Sequence, residues 1–472
     1  MARSTKKDDA GPARAEHTWA RELAERLVEA ARSAGADACD ATVGVGSSLS
    51  AKARDGEIED VTRSSSRAAG VRVIVGGRLG FATSAEAPRT KEAIAELAKT
   101  AVALAEVSTP SEHNVIPDPT SESLEVLDER AQRLDLWDGD VAGADATWAA
   151  ERALLMERVV RETPGISTVR EVGAATSWGV FALATSKGFV GGYGGTSARL
   201  SASGVAEDEG GKKQVDGWWD AARSFADLGD PEAVASEAAR RALARVGARK
   251  VPSAKAPVLF DPIMAKGFFA AVLSAINGDA VSRRASFLAE QKGEVVLVPG
   301  IRLRDDPLVP RGFGSRPFDD EGVAVRAMDL IDAEGRLCTW LLDARSASRL
   351  GERPTGHASR GSTSLPHPSS SNVQVLGGQG DFASIVRETE RGLLVTSLLG
   401  HSPDLVTGEY SRGASGFWIE GGEIAFPVEE VTIAGHMLEM MRGLDRVGAD
   451  LDTRSSLHAP TIRFAELSIS GS

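Results

Sequence analysis

The spacing of apolar residues constrains this fold most: over much of the chain they alternate in short runs closed by glycine, proline or Asp-Gly pairs. Near the start come Ala41, Val43 and Val45, then Leu49, Ala51 and Ala53 before Asp55-Gly56, then Val71, Val73 and Val75 before Gly76-Gly77, and Leu79 and Phe81. A period of two puts one face of a strand on a core and the other toward solvent, so these runs predict a meander of separate strands joined by tight turns. Helical spacing flanks them. Ala20, Leu23, Ala24, Leu27, Val28 and Ala31 lie on one face before Gly35, and Ile94, Leu97, Ala98, Ala101 and Ala105 follow Pro88. The first unit therefore reads as helix, sheet, helix, preceded by a polar tail and followed by a proline-containing linker from Thr109 to Thr120.

Beyond the linker, a helix is expected around Trp148 to Arg161, ended by Pro164-Gly165, then strands such as Val180 to Ala184 with turns at the glycine-rich Gly188 to Gly195. The charged run Glu207 to Lys213 reads as a solvated turn, and an alanine-rich helix from Pro231 to Val246 closes this segment. The last unit opens with strand Val258 to Phe260 and a buried helix over Ile263 to Ile276. Strands are expected at Val295–Val298, Leu337–Leu342, Val373–Leu376, Leu393–Leu398, Phe417–Ile419 and Ile462–Ile469, with a helix from Ala434 to Val447 and a mobile serine-rich loop from Gly361 to Ser371. The resulting expectation is an α+β protein: a disordered tail over 1–15, an N-terminal α/β domain over 16–108, a mixed middle domain over 121–250 and a large β-rich domain over 256–472. Its 472 residues fit about three such units.

A formal net charge of -13 disfavours nucleic acid, whose binding relies on clustered Lys and Arg that release counterions. No stretch nears the roughly 20 apolar residues needed to cross a bilayer, and no apolar segment follows Lys6 and Lys7, so neither membrane nor export is signalled. Cys39 and Cys338 are the only cysteines and form no Cys-x-x-Cys pair. Both read as small buried hydrophobes in a reducing, cytoplasmic protein.

Conventional catalytic motifs are missing. A hydrolytic zinc needs about three protein ligands and an open position, and the seven histidines, His17, His113, His357, His367, His401, His436 and His458, include no pair a helical turn apart. Gly413-Ala414-Ser415-Gly416 is not a nucleophile elbow, so Ser415 reads as a turn residue. Gly377 to Gly380 lacks a P-loop's lysine, and Gly191 to Gly195 lacks dinucleotide-fingerprint spacing; both read as turns. The acidic clusters Asp305-Asp306-Pro307 and Asp319-Asp320-Glu321-Gly322 offer oxygen ligands for a cation or, more simply, loop caps.

Several motifs nevertheless carry a resemblance. Arg284-Ala285-Ser286-Phe287-Leu288, Asp305-Asp306-Pro307, Gly314 to Gly322, Pro354-Thr355-Gly356, Val406 to Ile419 and Val431 to Gly435 follow one another in an order and spacing similar to the TldD/PmbA family, specifically its TldE/PmbA branch. In that family TldD carries a His-Glu-x-x-x-His helix and a later cysteine that bind metal, while TldE carries neither. The equivalent helix here is Phe269 to Asn277, with Phe269, Ala270 and Ser274 where ligands and base would stand, and Thr453 to His458 has no cysteine.

The resemblance therefore implies no catalytic residue, metal ligand or cofactor in this chain and zinc in a TldD-like partner. It implies a subunit of a protease for unfolded or leader peptides, which walls a chamber and positions extended substrates, for instance along an exposed strand edge. Tyr410, Ser411 and Arg412 beside Phe417 and Trp418 are candidate substrate or partner contacts, or simply a turn and a packed strand. Two alternatives stay open: a stand-alone metallopeptidase with an unrecognised site at His401 and His436, and a homodimer that binds peptides without cutting them.

Overall fold

The computed structural model describes residues 11–401 and 403–471, and shows an α+β architecture with a β-rich C-terminal region. The disordered tail expected over 1–15 lies outside the described residues as far as residue 10, and its last five residues, 11–15, belong instead to the first helix. Helix α1 (Gly11–Ser33) opens the chain, followed by β1 (Ala38–Arg54), β2 (Glu57–Val75), β3 (Arg78–Ser84), α2 (Lys91–Glu106), α3 (Leu124–Leu134), α4 (Gly139–Ala142) and α5 (Ala146–Glu162). Then come β4 (Ile166–Thr185), β5 (Val190–Glu207), β6 (Lys213–Ala222) and α6 (Pro231–Ala244).

These six strands form one antiparallel sheet in the order β3-β2-β1-β4-β5-β6. Strand β1 pairs with β2 on one side and β4 on the other, so the N-terminal and middle segments share a single sheet. Its odd-numbered residues all face helices. Cys39, Ala41, Val43 and Val45 pack with α1 and α2, while Leu49, Ala51 and Ala53 pack with α5 and α6, giving two cores end to end on the same face. The expected break between Val45 and Leu49 does not occur. Gly46, Ser47 and Ser48 are laddered on both sides, to Ser64–Ser66 and to Ser177–Gly179, so hydrogen-bonded neighbours override their weak strand propensity.

Gly191 to Gly195 likewise lies inside β5 rather than in a turn. Small residues are required there by close approach, since a Cβ at Gly192 would stand 2.8 Å from His17 Nε2 and one at Gly194 3.2 Å from Trp137.

The C-terminal region contains β7 (Ala254–Phe260), α7 (Pro262–Ala275), α8 (Gly278–Ser282), β8 (Arg302–Asp305), β9 (Met328–Ile331), α9 (Ala344–Leu350), β10 (Ala358–Ser359), β11 (His367–Pro368), β12 (Val373–Leu376) and α10 (Phe382–Arg387). It ends with β13 (Arg391–Leu399), β14 (Glu409–Glu420), β15 (Glu423–His436), α11 (Met437–Arg442), β16 (Leu444–Val447), β17 (Leu457–His458) and β18 (Ile462–Ser470). Strands β15-β14-β13-β7-β18 are successive neighbours, and Thr432–Ala434 of β15 pairs back to Ser468–Ser470 of β18, closing the sheet on itself. Closure removes the free edges there. A second sheet, β17-β12-β8-β9, lies beside it.

Four local expectations change. The helix expected over 434–447 is the end of β15, the short α11 and then β16, because Leu444–Val447 finds a partner in β18. Ser415 is a buried strand residue, paired across to Ser397. Val295–Val298 and Leu337–Leu342 bury Val296, Leu297, Leu337 and Trp340–Leu342 but make only isolated bridges. The serine-rich loop is pinned at both ends: Thr42 Oγ1 donates to Ser362 O, and Ser371 donates from N–H and hydroxyl to the buried Asp305.

A buried ion network joins the large sheet to the C-terminal region. On the sheet's helix-free face, Asp40 accepts from Arg72 of β2 and from Arg360 Nη1 at 2.9 Å. Arg72 Nη2 reaches Glu321 Oε1 at 2.9 Å, and Glu321 Oε2 accepts the Ala344 N–H. Arg360 also donates to Asp320, from its backbone N–H to Oδ2 and from Nε to the carbonyl oxygen. Burial acts upward on Asp40, but Arg360 and Arg72 outweigh it and hold its carboxyl below the usual range. Asp319 meets the opposite balance: burial and the neighbouring Glu321 push it up to about 7, although it accepts backbone N–H groups from Glu321, Val323 and Ala358.

Removing one member of such a network strands its partners in a low dielectric. Arg360→Met is expected to cost about 3–5 kcal/mol in urea denaturation, and a loss under 1 kcal/mol would show that Asp40 is otherwise satisfied. A carboxyl raised in the fold contributes stability that is complete below its unfolded value and is lost as pH rises through its folded one. The Tm advantage of wild type over Asp319→Asn should therefore shrink from pH 5 to about pH 7 and then level off; an offset constant from pH 5 to 8 contradicts it.

Candidate functional site

The face of the large sheet opposite the helices is paved with small side chains. Across the strands, Ser48 lies between Ser64 of β2 and Ser177 of β4, Ser177 faces Ser197 of β5, and Ser50 lies between Thr62 and Ala175. Ala175 faces Arg199, and Gly173 faces Ser201, which is opposite Trp219 of β6. These positions range from half-buried to exposed, so most of this face is open beyond the stretch held by Asp40 and Thr42. Alternation explains it: between the buried positions, most residues on β1, β4 and β5 in this stretch are Gly, Ser, Ala or Thr, which cover little of the backbone.

At β6 the open face meets helix α7. Asp261 caps α7 by accepting the Met264 N–H, and Pro262 supplies the fixed first-turn φ. Phe268, Phe269, Val272, Ala275 and Ile276 bury one side, where Phe268 packs edge-on to Phe269 and Phe464. The other side carries Lys266, Gly267, Ala270 and Ser274, the last three exposed.

Lys266 Nζ lies 3.1 Å from Asp452 Oδ1 and 6.0 Å from the Trp219 ring. Arg454 grips the same Asp452 through Nε and Nη2, donates Nη1 to Trp219 O, and lies over Trp218 at 4.1 Å and Trp219 at 4.9 Å. Arg199 covers Trp219 from the sheet side at 4.9 Å, and Arg241 lies over Trp218 at 5.0 Å. Burial pulls Asp452 upward, but Arg454 and Lys266 hold it at about 2; burial also lowers Lys266 and His458. Beside this cluster opens a cavity of about 350 Å³ lined by Trp218, Asp261, Pro262, Leu451 and Arg454.

Strand alternation splits the expected contact run on β14. Tyr410 and Trp418 are buried in the core of the closed sheet, Ser411 is exposed, and Arg412 is half-buried with Nη2 3.5 Å from Gly400 O. Only Phe417 approaches the cluster above, through a second cavity of about 330 Å³ that it shares with Trp218, Asp261 and Phe382. Sequence reading passed over the adjacent Trp218-Trp219 pair, whose signal was two large aromatics side by side in an alternating strand, and over Arg454 and Lys266. His436 donates Nε2–H to Thr407 O and accepts the Leu438 N–H at Nδ1, leaving no free ring nitrogen; His401 is exposed. Cys39 is buried with its thiol pushed up to about 11 by burial, whereas Cys338, expected inside, is exposed.

Family models described as PmbA/TldA metallopeptidase domain 1, central domain and C-terminal domain match residues 39–105, 140–246 and 253–471. Metalloprotease PmbA of Escherichia coli O157:H7 is 34% identical over 92% of both chains. The chain belongs to the PmbA/TldD metallopeptidase family. The PmbA homologue of Haemophilus influenzae is 31% identical over 96% of both chains, while the TldD homologue of that organism, 30% identical, matches only 46% of each. The crystal structure of TldE from Thermococcus kodakarensis has the same fold, with a TM-score of 0.83, 24% identity and coverage of 95% of this chain and 99% of that one.

A metallopeptidase family implies a metal, and the residues on α7 do not fit one. Ala270 and Gly267 offer no donor, the Ser274 hydroxyl is bonded to Ala270 O, and Asp452 is held by two cations. Among the described residues no group of three His, Cys, Asp or Glu side chains is placed to hold a metal ion. Adding zinc to the chelator-treated chain should leave its Tm unchanged, since a ligand that binds only the folded state raises Tm. A saturable upward shift would reveal a site.

Proposed function

We propose that this chain is a non-catalytic subunit of a TldD/TldE-type metalloprotease, with zinc and the hydrolytic step supplied by a TldD-like partner. One observation carries the reading: the exposed side of α7 presents Lys266, Ala270 and Ser274, and the carboxylate beside it, Asp452, is neutralised by Lys266 and Arg454. An ammonium and a guanidinium stand where ligands for a cation would be needed, and they repel one electrostatically.

The open sheet face supports the substrate role. Rows of Gly, Ser and Ala on β1, β4 and β5 leave a low surface with serine hydroxyls within reach of an extended chain, and few large side chains to select one sequence. Such a surface suits unfolded or leader peptides. The subunit holds the peptide and limits its motion, so that the partner's reacting centre meets a positioned bond. In the described residues no helix is long and apolar enough to cross a membrane. The two free cysteines, with no disulfide framework, support a reducing compartment, and we propose that the complex is cytoplasmic.

The test is to purify the chain alone and with a co-expressed TldD-like partner, then to measure bound zinc and hydrolysis of an unstructured peptide. The chain alone should be zinc-free and inactive, and the complex should contain zinc and turn over. Stoichiometric zinc with turnover in the isolated chain would sink the proposal.

A further inference from the structure

Positive charge accumulates around Trp219 in a chain whose net charge is -13. Arg199, Lys266 and Arg454 all lie within 6.0 Å of its ring, and among the described residues Asp452 is the one carboxylate that pairs with any of them. Asp261 belongs to the other side of Trp218: its Oδ1 caps α7, and its Oδ2 lies 4.0 Å from Arg241, which is itself bonded to Asp216. Three cations thus share one carboxylate around Trp219, a local excess of two positive charges. Arg199 is exposed and has no ion pair among the described residues, and it rises from the open sheet face, while Lys266 and Arg454 approach from the C-terminal side. The indole lies between Arg199 on the sheet side and Lys266 with Arg454 on the C-terminal side, and Arg454 also lines the 350 Å³ cavity on the Trp218 side.

We propose that Arg199, Lys266 and Arg454, gathered around Trp219, form a carboxylate-binding subsite for an extended peptide lying on the sheet face. Guanidinium and ammonium donors make charge-assisted hydrogen bonds to a carboxylate, and the indole shields them from competing water. The carboxylate comes from the peptide's C-terminus or from an acidic side chain. This subsite rests on the peptide-holding role above, and it would fix where along the sheet a peptide begins or is registered.

The test uses the full chain and three acetylated hexapeptides of alanine and serine: one with a free C-terminal carboxylate, its C-terminal amide, and that amide with one internal glutamate. Binding is read by calorimetry and by quenching of tryptophan fluorescence. The free acid should bind roughly tenfold or more tightly than the amide, with the ratio shrinking as salt rises. Recovery of affinity by the glutamate peptide identifies a side chain as a second source; its absence assigns the site to C-termini. Arg199→Gln, at an exposed position, and Lys266→Met, which leaves Asp452 to Arg454, should each bring the acid-to-amide ratio close to one. Equal binding of acid and amide by the wild type, or a ratio unchanged in both variants, would overturn the subsite while leaving the peptide-holding role intact. Failure of all three peptides to bind would remove both.

Discussion

The structure depends on one contact, the buried exchange of charge among Asp40, Arg72, Glu321 and Arg360. Asp40 and Arg72 pair with each other from adjacent strands of the large sheet, and Glu321 and Arg360, from loops of the C-terminal region, bond across to them, Glu321 to Arg72 and Arg360 to Asp40. In a low-dielectric interior such groups are tolerable only when docked, which ties the position of the sheet to that of the C-terminal region. Tyr193 from β5 and the backbone N–H groups around Asp319 extend the contact. It fixes one end of the helix-free face and leaves the rest of that face open.

That openness follows from where the helices lie. Both helical layers cover the same face of the sheet, so the opposite face has no layer of its own except where the C-terminal region meets it. A sheet face left in this way ordinarily carries charged or bulky polar side chains. Here its open part carries mostly Ser, Gly and Ala, and Trp219 sits at the end where three cations converge. In a metallopeptidase-family chain, two of those cations, Lys266 and Arg454, neutralise Asp452 beside α7. One arrangement thus both disfavours a metal and favours an anionic group.

The fold was legible where periodicity was strong and local. The first helix, the alanine-rich α6, the buried α7 and the strands around Val258, Val373 and Leu393 stand where apolar spacing and capping residues put them. Glycine-rich strand interiors were not legible. Gly191 to Gly195 and Gly46 to Ser48 read as turns or breaks because propensity is weak there, and pairing with strands distant in sequence decides their conformation. Within the candidate site, the absence of a histidine pair on α7 was visible in the sequence, but the meeting of Arg199, Trp219, Lys266 and Arg454 was not. Those four residues come from β5, β6, α7 and the segment before β17, and no spacing rule joins them.

By itself the sequence determined the α+β character, the family and the residues on the face of α7, because helical and strand periods, short motifs in a fixed order and the identities of side chains are local properties. Only the tertiary structure decided that two segments share one sheet, that the β14 aromatics Tyr410 and Trp418 lie inside the closed barrel, and that positive charge collects at Trp219. Each of these depends on long-range strand pairing, where a shift of one residue exchanges the buried and exposed faces.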